Sequence, residues 1–129
     1  MRGEASSHMK GVGIDAVDVE RFRNMLERRP RLAERLFTQH ELDQLAHRKD
    51  PAASLAARFA VREATMKALG VGLGAFDFHD VWINKAPSGA PQLQVTGRAR
   101  ELATSAGVSS WHVSISHTET VAMAVVAAL

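Results

Sequence analysis

The sequence predicts an α+β fold, a mainly antiparallel sheet packed on a long central helix, and three observations lead there. Residues Ala52 to Gly70, AASLAARFAVREATMKALG, are mostly strong helix formers with no proline, enough for about five turns. From Phe76 onward the apolar residues fall instead into short alternating runs separated by turn residues. The chain has 129 residues, 46% of them apolar, which suits one sizeable core and leaves no room for two.

Residues 1–8 are polar and aperiodic; they are expected to be disordered or left over from expression, with Met9 a candidate natural start and residues 9–129 a single domain. Lys10 to Ala16 is a short strand whose glycines at 11 and 13 let another backbone approach. Asp18 is placed to cap a helix running through Val19, Phe22, Met25 and Leu26. Pro30 interrupts that pattern, and a short basic segment leads to Leu36 and Phe37. Thr38 to Glu41 has capping-box spacing and opens a short helix through Leu42 and Leu45. Lys49-Asp50-Pro51 breaks the chain before the long helix, and Gly70 is a left-handed cap at its end. Strands are expected over Asp80 to Ala86 and Gln92 to Val95, joined by turn chemistry from Pro87 to Pro91. Thr96 can cap a helix from Gly97 to Ala106, ended by Gly107. Trp111 to Ser116 alternates, with Trp111, Val113 and Ile115 on one face and His112, Ser114 and Ser116 on the other. His117 to Thr120 turns the chain into Val121 to Ala128, whose apolar run reads as a central strand covered on both faces.

Composition narrows the function. The absence of cysteine excludes a disulfide framework and any thiolate metal site. No apolar run approaches the roughly 20 residues that span a bilayer, and no signal pattern opens the chain, so a cytoplasmic protein without membrane attachment is expected. The net charge of +2 is too nearly balanced to argue for nucleic acid. Its distribution is uneven: from Glu20 to Arg35, six arginines less three glutamates leave a local +3. Such a segment suits an acidic partner, or is simply a solvated helix face.

The long helix carries four charges in an apolar setting, with Arg58 and Arg62 on one stripe and Glu63 and Lys67 on another. Burying unpaired charge is costly, so each should reach solvent or meet a charged ligand or metal. Asp15 and Glu63 are the best pair of oxygen ligands for a hard cation such as magnesium, although Asp15 equally fits a turn and Glu63 with Lys67 an ordinary i,i+4 ion pair. The glycine-rich stretch after the helix lacks the Gly-Lys-Ser/Thr of a phosphate loop and follows a helix where such a loop precedes one. His112 to Thr118 gathers two histidines and two same-face serines. Without a nucleophile elbow, and with Ser116 merely adjacent to His117, hydrolysis is disfavoured, whereas hydroxyls and imidazole near a positive helix can bind phosphate.

Six segments, taken together, resemble one family. They are Gly13-Ile14-Asp15 followed by Arg21; Phe37-Thr38-x-x-Glu41-Leu42; Arg58-Phe59-Ala60-x-Arg62-Glu63-Ala64-x-x-Lys67-Ala68-Leu69-Gly70; Phe78-x-Asp80-Val81; Gly89-x-Pro91; and His112-x-Ser114-x-Ser116-His117-Thr118. The chain from about Lys10 onward is similar to the holo-acyl-carrier-protein synthases, the small bacterial type of 4′-phosphopantetheinyl transferase. The resemblance implies that fold, and transfer of phosphopantetheine from coenzyme A to a serine of an apo acyl carrier protein, releasing adenosine 3′,5′-bisphosphate, in fatty acid biosynthesis. It implies that Asp15 and Glu63 hold magnesium on the pyrophosphate, that Lys67 faces the phosphates, and that Glu63 or a metal-bound water takes the serine proton. Arg58, Arg62, Ser116, His117 and Thr118 would hold the adenosine and 3′-phosphate end. Arg21 and Arg28 would receive the acidic helix of the carrier, and the family pattern implies a homotrimer with sites between protomers. One departure is visible: Arg62 stands where the family usually has lysine, and a planar guanidinium does not replace an ammonium contact for contact. From another class, the arginine face could instead belong to a non-catalytic module that binds an acidic partner. Such a module has no need of Asp15, Glu63 and Lys67 together.

Overall fold

The computed structural model describes residues 8–129, so the expectation for the N-terminal segment falls almost wholly outside the described residues. The elements run β1 (Gly11–Asp18), α1 (Val19–Arg28), α2 (Leu32–Leu36), α3 (Gln39–Leu45), α4 (Ala52–Leu69), β2 (Val81–Lys85), β3 (Pro91–Val95), α5 (Gly97–Ser105), β4 (Trp111–His117) and β5 (Val121–Ala128). The sheet has the order β1-β5-β4, antiparallel throughout, and β2 with β3 forms a separate antiparallel hairpin.

Helix α4 lies across β1 and β5, and the small residues explain why it lies so close. Ala60, Ala64 and Ala68 are buried on the helix, and Ala64 and Ala68 face Gly11 and Gly13 of β1. A Cβ at Gly13 would fall 2.8 Å from the Ala68 nitrogen and 2.9 Å from the Ala64 carbonyl carbon, so the strand must be bare where the helix crosses it. Gly70 ends the helix as expected, at φ 70, with its N–H donating to the Lys67 and Met66 carbonyls. A second core cluster under α1, α2 and α3 centres on aromatic rings. Phe22 stacks on Phe59 at 5.4 Å, and Phe59 lies 6.0 Å from Phe78.

The capping box at Thr38 and Glu41 forms as its spacing implies, and Asp18 caps α1 by accepting from the Arg21 amide at 2.9 Å. Four expectations are modified. The basic segment after Pro30 folds into the extra helix α2. Phe78 to Asp80 forms a 3₁₀ turn, so β2 begins at Val81. Thr96 does not cap α5: its hydroxyl donates to the Asp80 carbonyl at 2.9 Å, and the Asp80 carboxylate accepts from the Ala99 amide at 3.2 Å instead. Strand β5 is central, but only one of its faces is covered. Val12 and Ile14 of β1 are each 57% exposed, and Met123 and Val125 of β5 are 41% and 38% exposed. The register places these four on one face with His112, Ser114 and Ser116 of β4. No helix among the described residues is long and apolar enough to cross a membrane.

Candidate active site

Asp15 lies two residues beyond Gly13 on the face of β1 that meets α4, so the bare glycine crossing also sets the depth at which its carboxylate reaches the helix. The Lys67 ammonium lies 3.1 Å from Asp15 Oδ1 and donates to the Ile14 carbonyl at 2.9 Å. No ion pair among the described residues joins Lys67 to Glu63, so the simple i,i+4 pair is not formed. Glu63 and Asp15 line the same pocket of about 290 Å³, together with Arg21, Phe22, Met25 and Phe59. Burial first, and the Asp15 charge second, push the Glu63 carboxyl pKa up, against the opposing pull of Lys67. A divalent cation would offset the Asp15 charge that disfavours ionisation of the Glu63 carboxyl. A pair this sparse suits magnesium, which keeps several waters and takes further oxygens from a phosphorylated substrate.

Arg62, expected at the nucleotide, is enclosed: both Arg62 and Glu41 are 0% exposed. Its guanidinium grips Glu41 with Nη2 2.6 Å from Oε1 and Nη1 3.0 Å from Oε2, while Nε donates to the Phe78 carbonyl at 2.7 Å. It also sits 5.0 Å over the Phe37 ring. No side of that guanidinium is open to a phosphate, so its placement departs from the expectation for physical reasons: a charge this deep requires a paired, hydrogen-bonded partner, and Glu41 is that partner.

Arg58 keeps an open side. It lines a second pocket, also of about 290 Å³, with Arg48, Ser54, Lys85, Ile115 and His117 among the walls. Arg48 and Lys85 were not singled out by sequence, because each lies beside a turn and only the fold unites them. His117 follows the inward-facing Ile115 in the strand alternation and faces this basic pocket, whereas Ser116 points to the open apolar face. The Thr118 hydroxyl accepts from the amides of Thr120 at 3.2 Å and Val121 at 3.1 Å, serving the turn. Ser116, His117 and Thr118 therefore do not converge within one chain.

Arg21 and Arg28 share the α1 face with Asn24, Met25 and Arg29, and Arg21 also borders the Asp15 and Glu63 pocket. A larger, mostly apolar cleft of about 930 Å³ runs alongside, with Glu63 on its wall and Phe22, Met25, Leu36, Phe59 and Phe78 around it. The carboxylate pocket thus has a positive rim and an apolar flank.

The family model described as "4'-phosphopantetheinyl transferase superfamily" matches residues 11–126. The chain belongs to that family. It is 50% identical over 119 residues to a holo-[acyl-carrier-protein] synthase of Streptomyces avermitilis, covering 92% of this chain and 95% of that one. The fold is similar to the holo-[acyl-carrier-protein] synthase of Neisseria meningitidis, with a TM-score of 0.86 at 29% identity over 95% of this chain and 99% of that one. The Helicobacter pylori holo-[acyl-carrier-protein] synthase, solved in complex with coenzyme A, matches with a TM-score of 0.79 at 32% identity over 92% of this chain and 99% of that one. Membership of a transferase family does not favour the reading of the arginine face as a non-catalytic module.

Proposed function

We propose that the protein is a holo-acyl-carrier-protein synthase, a single transferase domain over residues 9–129 that moves 4′-phosphopantetheine from coenzyme A to a serine of an apo acyl carrier protein. The observation that carries this reading is the meeting of Asp15 and Glu63 in one pocket, beside Lys67 and under the Arg21 rim. In the proposed reaction the serine oxygen attacks the pantetheine-side phosphorus, the bond to the nucleotide-side oxygen breaks, and adenosine 3′,5′-bisphosphate departs. Phosphoryl transfer depends on neutralised oxygens and an aligned nucleophile more than on covalent help from the protein. Lys67 supplies fixed positive charge at the reacting phosphates. The serine proton would pass to Glu63 or to a water on the metal. Magnesium held by Asp15 and Glu63 would supply charge neutralisation on the pyrophosphate.

The basic pocket around Arg58, Arg48, Lys85 and His117 is the proposed seat of the nucleotide phosphate. It shares no wall residue with the Asp15 and Glu63 pocket. A homotrimer, in which a neighbour's basic pocket meets this chain's carboxylates, would unite them, and the open face bearing Val12, Ile14, Met123 and Val125 provides apolar surface for it. Light scattering should then give about three times the 14.0 kDa chain mass, and a monomer under assay conditions would remove this arrangement. The proposed setting is cytoplasmic, in fatty acid biosynthesis.

Incubated with magnesium, coenzyme A and an apo carrier protein, the protein should add about 340 Da to the carrier by mass spectrometry, the mass of the transferred group. No mass change with several apo carriers would refute the reaction. Replacing Arg21 and Arg28 with alanine should raise the KM for the carrier, with the penalty shrinking as salt is added. An unchanged carrier KM at low salt would take that role from α1.

A further inference from the structure

Buried ion pairs usually need no role beyond the fold, but the pair of Glu41 and Arg62 lies against Arg58, a wall residue of the proposed nucleotide pocket. Glu41 is fixed twice over. Arg62 grips both its oxygens, and Oε1 also accepts from the Thr38 amide at 2.8 Å. A carboxylate held this way has a definite position. On its far side, Glu41 Oε2 lies 3.8 Å from Nη1 of Arg58, the same nitrogen that donates to Gln44 Oε1 at 3.2 Å. Arg58 is the member of the pair of α4 arginines that faces the basic pocket with Arg48, Lys85 and His117.

We infer that Glu41, clamped by Arg62, is a positioning residue that holds the Arg58 guanidinium in place for an anionic ligand. Three guanidiniums, those of Arg48, Arg58 and Arg62, crowd this corner, and without the Glu41 carboxylate between them only Gln44 would hold Arg58 against their repulsion. Burial lowers the pKa of Arg58, Glu41 opposes that shift, and Arg62 and Arg48 add to it. The role of Arg62 is thereby indirect: it locks the counter-ion that aims the neighbour one turn earlier. The inference rests on the proposed reaction only for naming the anion as the phosphate end of coenzyme A.

The double variant Glu41→Leu/Arg62→Met replaces the pair with apolar groups, an exchange that commonly leaves a fold intact. With its fold verified by circular dichroism, it should raise the KM for coenzyme A about tenfold, the worth of one misplaced charge-assisted hydrogen bond, with kcat within about twofold. Its calorimetric affinity for adenosine 3′,5′-bisphosphate should fall by the same factor. Arg62→Lys, which keeps a cation on Glu41, should melt earlier yet retain the wild-type KM and affinity. Unchanged binding in a folded double variant would overturn the inference. So would a shift in Arg62→Lys as large as that of the double variant, because it would assign the effect to Arg62 itself. Inactivity of the wild type would instead count against the proposed reaction, and the calorimetric arm reads the positioning role without turnover.

Discussion

Glu63→Gln is expected to slow carrier modification at least about 100-fold, since disturbing even the outer partners of a metal ligand costs about 10–100-fold. The same substitution should leave the melting temperature unchanged or higher. Burial and the Asp15 charge raise the Glu63 carboxyl pKa in the folded chain, so folding favours its protonated form. The stabilising contribution is therefore present at low pH and is lost as pH rises through the folded pKa, where the ionised side chain becomes a liability. Glutamine removes the ionisation and with it the liability. Melting curves without added divalent cation should show the variant gaining on the wild type at neutral pH, and that gain disappearing in acid. Retained transfer would show that Glu63 is not in the reacting site, and a large loss of stability at neutral pH would show that its charge is satisfied in a way the pocket does not explain.

Gly13→Ala should destabilise the fold by about 3 kcal/mol or more, the upper end for forced overpacking, because what the new Cβ meets is helix backbone and not a side chain that can rotate away. For a chain of this size that corresponds to a melting temperature about 10 °C lower. Activity should fall more steeply than stability, since pushing β1 off α4 also withdraws Asp15 from Lys67. Gly72→Ala serves as the control: nothing lies within 4 Å of a Cβ there, and its melting temperature should hold steady or rise slightly. A Gly13→Ala protein that melts like the wild type would mean that the strand and helix can part without loss.

Local signals made much of this legible. The capping box, the Gly70 stop and the alternation in β4 are short-range chemistry, and each appears where its spacing placed it. Arg62 was not legible, because an arginine in an apolar helix looks the same whether its partner is a ligand phosphate or a glutamate 21 positions earlier. Arg48 and Lys85 were hidden for the same reason. Ser116, His117 and Thr118 do not converge within one chain despite their adjacency: in a strand, consecutive residues face opposite ways, and the Thr118 hydroxyl serves the turn. The apolar run of β5 correctly marked a central strand, but a run of this kind cannot say whether its second face is covered by the same chain.

The register that pairs Gly11 with Ala128 joins the first described strand to the last. Closing so long a loop makes this pairing entropically costly and therefore late. During synthesis, Asp15 would leave the ribosome early but lack its strand partner, because Ala124, the residue opposite it, is made more than a hundred positions afterwards. Helix α4, by contrast, can form as soon as it is made. The carboxylate pocket therefore belongs to the finished chain: one wall is ready midway through synthesis, and the other is set only when the final strand slides in beside β1.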